Sequence, residues 1–201
     1  MRPRLSYQHG SSLVELLVST TFVSILMAIS YGFARAALMT ARVQATKSDA
    51  QEATVMALDI MAHELRMAGF SAAGKPLPAI QAAAADRVDV VNDLNGDDDT
   101  ADSNERIMYT YDDAAHEVRR ATSGGSPQPF VRNVAPTGFR LSYFDAAGIE
   151  IPTGSTGMAP TELLRVHRID VVLQVKVANP DPNVTAPLRS DMSTSICLRN
   201  Q

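Results

Sequence analysis

An apolar run near the N-terminus dominates the hydrophobic pattern of this chain. Between Leu16 and Ala34 every polar side chain carries a hydroxyl group. Such groups can bond back to the carbonyl groups of their own helix, so they are tolerated in an apolar setting. At about 1.5 Å per residue, the run is long enough to cross a bilayer as a helix. The pattern therefore predicts a membrane helix over residues 11–35.

Beyond Arg35 the pattern remains helical but becomes amphipathic. Apolar residues recur at intervals of three, four and seven, which places them on one side of a helix. These residues are Met39, Val43, Ala50, Ala53, Ala57, Met61, Leu65 and Ala68. No proline interrupts the stretch, and Gly69 follows the last apolar position, where glycine commonly caps a helix. We therefore expect one helix over residues 12–68, with residues 36–69 as its amphipathic continuation.

The remainder of the chain, residues 70–201, alternates apolar and polar positions in the manner of β-strands. The clearest strand runs from Arg168 to Val177, where five apolar side chains share one face. Further strand patterns lie at 87–91, 107–111, 117–121, 139–143, 149–151 and 192–198. Glycine, alanine and proline content predicts loops at 71–85, 123–129 and 179–187.

These elements together predict an α+β fold. The long N-terminal helix, with a transmembrane first half, would pack on an antiparallel sheet of about six or seven strands. Residues 70–201 would form one β domain outside the membrane.

The first ten residues form a short polar leader that carries two basic side chains, Arg2 and Arg4. Basic residues favour the cytoplasmic side of a membrane, so the chain beyond the helix is expected outside. A secretory signal places its apolar core before the cleavage site, whereas here Gly10 precedes the apolar run. Cleavage after Gly10 would therefore leave the helix on a mature chain that begins at Ser11.

One acidic residue, Glu15, lies at the start of the apolar run. A carboxylate inside a bilayer costs on the order of 3 kcal/mol even on the gentler insertion scales, and such a group usually has a partner. A free amine at Ser11 would lie within about one helical turn of Glu15. That amine, or the amine of a neighbouring subunit, would neutralise the carboxylate. The alternative is a simple signal anchor with an incidental glutamate near its interface.

The sequence Gly-Ser-Ser-Leu-Val-Glu-Leu-Leu-Val that begins at Gly10 resembles the processing site of type IV pilins and type II secretion pseudopilins. The resemblance implies that a membrane peptidase cleaves after Gly10 and methylates the new amine of Ser11. Glu15 is then the fifth mature residue, and it would set register by pairing with a neighbour's amine. The family most often has phenylalanine where this chain has Ser11.

Three later segments resemble the PilW-like and GspJ-type minor pilins. They are the helix end Glu64–Phe70, the hairpin Phe139–Asp145 with Gly148, and the strand Arg168–Leu173. The resemblance implies a non-enzymatic minor pilin that takes part in type IV pilus assembly or priming. It would sit in the bacterial inner membrane with its C-terminal domain in the periplasm, and then in the fibre or its tip at the cell surface. Its partners would be the prepilin peptidase and other major and minor pilins, which would contact the N-terminal helix.

Three alternatives to this function remain open. The close one is a minor pseudopilin of a type II secretion system, which uses the same helix chemistry. The others are a pilus-tip adhesin or ligand-binding module, and a membrane-anchored periplasmic enzyme. The sequence shows no catalytic constellation that would support an enzyme. The pair His63-Glu64 begins a zinc-protease motif, but that motif needs a second histidine at position 67, which is Met67.

Composition bears on two further properties, nucleic-acid binding and disulfide bonding. The net charge of −4 and the sequence pI near 5.5 give no indication of a nucleic-acid-binding surface. The single cysteine, Cys197, excludes an intrachain disulfide, and we expect it to pack as a small apolar side chain.

An acidic segment, Asp93–Glu105, places six carboxylates within thirteen residues. Calcium takes six to eight oxygen ligands from loops of this kind. The segment is therefore a candidate calcium site, and we expect no other cofactor. The alternating residues Asp93, Asn95, Asp97 and Asp99 are the candidate ligands, and Gly96 permits a sharp bend. Glycine is in fourth place and glutamate in thirteenth, so the segment is not an EF-hand. The alternative is a solvated acidic turn between two strands.

Overall fold

The computed structural model describes residues 12–154 and 156–200. The chain divides into two compact units, a helical one that ends at Gln44 and a second that begins at Ala45. The first unit contains the apolar part of the long helix, and the second contains the rest of that helix together with all strands described below.

Helix α1 spans Leu13–Met67 and confirms the predicted helix. Its apolar N-terminal part exposes large side chains, and by length and composition the helix is sufficient to cross a membrane. The hydroxyl groups of this part bond back along the helix as expected, with Ser19 donating to the carbonyl oxygen of Glu15 and Ser24 to that of Thr20, both at 2.8 Å.

Nine strands and a short second helix follow in the described part of the chain. The strands are β1 Ile80–Ala84, β2 Arg87–Val91, β3 Arg106–Asp112, β4 Glu117–Thr122, β5 Gln128–Val131, β6 Val134–Phe144, β7 Glu150–Ile151, β8 Arg168–Val177 and β9 Leu188–Cys197. Helix α2, Pro160–Leu163, lies between β7 and β8. Neighbouring strands in the described part of the chain pair antiparallel.

The strands form two sheets, where one sheet of six or seven strands was expected. The first sheet has the order β1-β2-β3-β4-β5, and the second has the order β7-β6-β8-β9. The α+β prediction is therefore confirmed, but the strand count and the single sheet are wrong. The region 71–85 is not entirely loop, because β1 lies within it; its alanine-rich sequence has low intrinsic strand propensity. Likewise β5 overlaps the predicted loop 123–129 and carries a proline at the edge of its sheet.

The core lies between the second part of α1 and the two sheets, within the second unit. The predicted stripe is buried at Ala57, Met61, Leu65 and Ala68, whereas Ala53 is exposed. The sheets contribute the alternating apolar side chains, among them Val88, Val90, Tyr109, Leu141, Tyr143, Ile169, Val171 and Leu173. Cys197 is exposed, so the expectation that it packs in the core is wrong. It points away from the core because its neighbours along the chain, Ile196 and Leu198, are the buried ones.

Tyr143 joins the second sheet to the first. Its hydroxyl group is shared between the carbonyl oxygens of Ala84 and Arg87, each at 3.0 Å, at the turn between β1 and β2. Burial raises the pKa of the Tyr143 hydroxyl. The neutral side chain therefore provides a buried polar contact that helps to fix the position of β6 against the β1–β2 turn, together with the hydrogen bond from the Leu141 N–H to the carbonyl oxygen of Ala85.

Candidate functional site

The predicted register residue, Glu15, lies at the N-terminus of α1, and the predicted processing site is not part of the described chain. Gly10 and Ser11 lie outside the described residues, so cleavage and methylation there stay predictions. Glu15 lies in the first turn of α1, where a negative charge is favourable for the helix dipole. Its neighbours Leu13 and Leu16 are 82% and 62% exposed. A carboxylate is thus presented on a helix surface that is otherwise apolar, and among the described residues no cation forms an ion pair with it.

The acidic segment forms the loop between β2 and β3, and it is fixed to the segment that follows α1. The backbone N–H of Asp93 donates to the carbonyl oxygen of Phe70 at 2.8 Å, and that of Ala72 donates to the carbonyl oxygen of Asp93 at 2.9 Å. The Asp93 side chain is buried and accepts from the Gly96 N–H at 2.6 Å and from the Ser71 hydroxyl at 3.2 Å. Asp93 therefore holds the base of the loop.

Successive side chains shape the rest of the loop. Asn95, Asp97 and Asp99 each accept from the backbone N–H two residues further on, at 3.0, 3.0 and 2.8 Å. These are the local turns that Asn and Asp side chains favour. Asp98, in sixth place from Asp93, has a φ of 73° and pairs with the Lys75 amine. The sixth place is thus left-handed, as in an EF-hand, although its residue is not glycine.

Three carboxylates meet beside these turns. One oxygen from each of Asp97, Asp102 and Glu105 lies within 4.8 Å of the other two. The side-chain amide of Asn95 donates to both Asp97 and Asp102, at 2.9 and 2.7 Å. Asp97 and Asp102 are exposed, whereas Glu105 is 1% exposed. We refer to Asp97, Asp102 and Glu105 as the carboxylate triad.

Glu105 is held by the backbone of the loop through one oxygen only. Its Oε1 accepts from the N–H groups of Leu94 and Asn95, at 2.9 and 3.4 Å. Its Oε2 is buried and has no hydrogen-bond partner among the described residues. Because unpaired polar atoms in a buried position are costly, such an oxygen needs an explanation.

The structure brings together only part of the predicted ligand set. Asp97 belongs to the carboxylate triad, and Asn95 contacts two of its members. Asp93 and Asp99 are not among its members. Asp102 and Glu105 were missed because the alternating spacing drew attention to the first half of the segment. The position of Glu105 in the sequence was a usable signal. It is the last residue before β3, where the chain returns from the exposed loop to the buried sheet.

A second polar cluster, also missed, joins α1 to the first sheet. The Glu64 carboxylate accepts from Nε and Nη2 of Arg120, at 3.0 and 2.6 Å, and from the Tyr109 hydroxyl. The hydrogen bond to Glu64 raises the pKa of Arg120, and burial followed by the same carboxylate raises that of Tyr109. Glu64 therefore has a structural partner, and the neighbouring His63 is exposed.

Comparison with family models, with curated proteins and with solved structures found no match for this chain. The function is therefore inferred from the residues and contacts of the chain itself.

Proposed function

We propose that this protein is a minor pilin, a structural subunit that takes part in type IV pilus assembly or priming. The observation that carries the proposal is the placement of Glu15 in the first turn of an exposed apolar helix, five residues after Gly10. The rest of the same helix packs on antiparallel sheets in a separate unit. An apolar helix with one acidic group and a folded domain after it is suited to a fibre built around a bundle of helices.

The physical argument for assembly starts from the charge of Glu15. A carboxylate among lipid-exposed apolar side chains is unfavourable unless a positive group pairs with it. Cleavage after Gly10 would create a new amine at Ser11, so every mature copy would carry both charges. Pairing the amine of one subunit with Glu15 of the next would satisfy both and fix the axial register of neighbouring helices.

The proposed location follows from the charges of the leader. Arg2 and Arg4 favour a cytoplasmic N-terminus, so the two sheets would lie in the periplasm while the helix waits in the inner membrane. Assembly would then move the domain to the fibre surface or tip. The partners would be the prepilin peptidase and other major and minor pilins. A minor pseudopilin of type II secretion uses the same chemistry, and the fibre with which the protein copurifies distinguishes the two.

We expect the protein isolated from membranes to begin at Ser11. Intact mass and N-terminal sequencing, with and without the prepilin peptidase, measure this directly. Gly10→Val should leave an uncut chain that begins at Met1. Gly32→Ala is the matched control, because Gly32 lies within α1 with no atom close to its missing side chain, and processing should be unchanged. A mature start beyond the apolar run would contradict the proposal.

We expect Glu15→Ala to leave cleavage intact and to lower fibre incorporation about tenfold or more, which corresponds to about 1.4 kcal/mol of lost pairing. The reason is that the variant removes the acceptor for a neighbour's amine. Immunoblots of sheared fibres against membrane fractions measure the ratio. Glu52→Ala is the control, since Glu52 is an exposed glutamate of the same helix beyond the apolar run. Equal incorporation of both variants would show that Glu15 does not set register.

A further inference from the structure

We propose that the loop between β2 and β3 binds one calcium ion through the carboxylate triad of Asp97, Asp102 and Glu105. This site lies in the unit that begins at Ala45, and it does not depend on the role proposed for Glu15. It would be an intrinsic site of the folded domain whatever fibre or complex the protein joins.

The unpartnered oxygen of Glu105 carries the inference. Glu105 is 1% exposed, and its Oε1 already accepts two backbone N–H groups. Its Oε2 has no donor among the described residues, although a buried carboxylate oxygen is expected to have one. The carboxylate instead belongs to a group of three whose oxygens lie within 4.8 Å of one another. A cation bound among the three would supply the missing interaction.

The charges around the triad favour the same conclusion. Like charges at this separation repel each other, and the repulsion is strongest where one of them is buried. Within the described residues no lysine or arginine forms an ion pair with a member of the triad. Lys75 pairs with Asp98 of the same loop, which is not a member. The side-chain amide of Asn95 donates to Asp97 and to Asp102, and these are neutral hydrogen bonds that leave both negative charges in place. A divalent cation would convert this repulsion into attraction.

The ligand chemistry selects calcium among the common divalent cations. All three side chains offer oxygen, and the group contains neither the histidine nor the cysteine that zinc prefers. Calcium accepts six to eight oxygens in flexible arrangements, including carboxylates that bind with both oxygens, backbone carbonyls and water. Magnesium requires nearly ideal octahedral geometry and gives up its water reluctantly. Two exposed carboxylates on a loop favour calcium, which tolerates a wider range of ligand geometries than magnesium.

Binding would affect more than the loop, because the loop is joined to two other parts of the domain. Asp93 connects its base to Phe70, Ser71 and Ala72 just after α1. The hydroxyl of Ser123, the residue that follows β4, donates to the carbonyl oxygen of Asp102. An ion that holds Asp97, Asp102 and Glu105 together would therefore stabilise the contact between the helix end and the first sheet.

The test uses the full-length chain in a nonionic detergent, with CaCl₂ as the probe. We expect one saturable site by isothermal titration calorimetry, with a Kd on the order of 10⁻⁴ M, in the range of extracellular calcium modules. We also expect a higher thermal unfolding midpoint in CaCl₂ than in EGTA, and weaker binding of MgCl₂. The absence of saturable binding up to about 10 mM CaCl₂, well above that range, would overturn the proposal.

Two substitutions two residues apart provide the decisive comparison. Asp97 and Asp99 are both exposed, and each accepts one backbone N–H two residues further on, a bond that asparagine retains. Only Asp97 belongs to the triad. We expect Asp97→Asn to weaken calcium binding at least about tenfold, as the loss of one charged ligand should, and Asp99→Asn to leave it within about twofold. Equal weakening by both variants would indicate diffuse attraction to an acidic loop and overturn the site.

Glu105→Gln tests the buried ligand itself. Glutamine retains the acceptor for the N–H groups of Leu94 and Asn95 but replaces the other oxygen by an amide group. We expect calcium binding at least about tenfold weaker than in the unsubstituted chain. If this variant does not fold, Asp102→Asn decides in its place, because Asp102 is exposed and belongs to the same triad. Unchanged affinity in either folded variant would refute the assignment.

Discussion

Replacing Gly69 by alanine is expected to lower the free energy of unfolding by about 3 kcal/mol or more. Gly69 has a φ of 75°, a left-handed conformation that costs other residues about 1–2 kcal/mol. In addition, a Cβ atom at this position would lie 2.7 Å from the carbonyl oxygen of Asn200 and 3.0 Å from the Cβ of Ala79. The backbone cannot easily move away, since the Gly69 N–H donates to the carbonyl oxygen of Val91 at 2.8 Å.

Gly74→Ala provides the matched control for this prediction. Gly74 has a φ of 69°, close to that of Gly69, but no atom lies within 4 Å of the position that its Cβ would take. Its substitution should therefore cost only the conformational part, about 1–2 kcal/mol. Urea unfolding of both variants in detergent, followed by circular dichroism, measures the difference. Similar losses in the two variants would show that the close approach of Asn200 and Ala79 is unimportant.

Gly69 also shows what could be predicted from sequence alone. The end of the amphipathic stripe at Ala68 and the glycine after it predicted a helix end, and α1 ends at Met67. This worked because helix periodicity and capping are local properties of the chain. The strand at 168–177 was placed correctly for a similar reason, since its apolar side chains alternate clearly. The strand at 87–91 was also placed correctly, although its alternation is weak.

The division into two sheets could not be predicted in this way. Strand β1 consists of Ile80, Gln81 and three alanines, and it is a strand because its backbone pairs with β2. Strand pairing depends on the partner and on packing as much as on intrinsic preference. Local alternation identifies strands one at a time, but it does not specify which neighbour each one joins.

The candidate site was predicted in part for the same physical reason. The density of carboxylates identified the loop, because charge is a local property. The membership of Glu105 was harder to predict, since it depends on the burial of this one residue, just before β3, against the rest of the domain. The pairing of Glu64 with Arg120 joins residues 56 positions apart, and no pattern in either segment indicates it.

Arg120→Met is expected to lower the free energy of unfolding by about 2–3 kcal/mol. The variant leaves the Glu64 carboxylate with the Tyr109 hydroxyl as its remaining partner in the contact between α1 and the first sheet. Removing one member of a fully buried ion pair costs about 3–5 kcal/mol. The Glu64 and Arg120 side chains are 17% and 26% exposed, so solvent reduces the cost below that range.

The double variant Glu64→Leu/Arg120→Met isolates the pair, because no charge is then left without its partner. We expect it to be less destabilised than the sum of the two single variants, with a coupling energy of about 2 kcal/mol. Arg165→Met is the control: Arg165 is 60% exposed beside Asp145, and its loss should change stability by no more than about 0.5 kcal/mol. Additive single variants would mean that apolar packing around Met61 and Leu65, rather than this ion pair, holds α1 on the sheet.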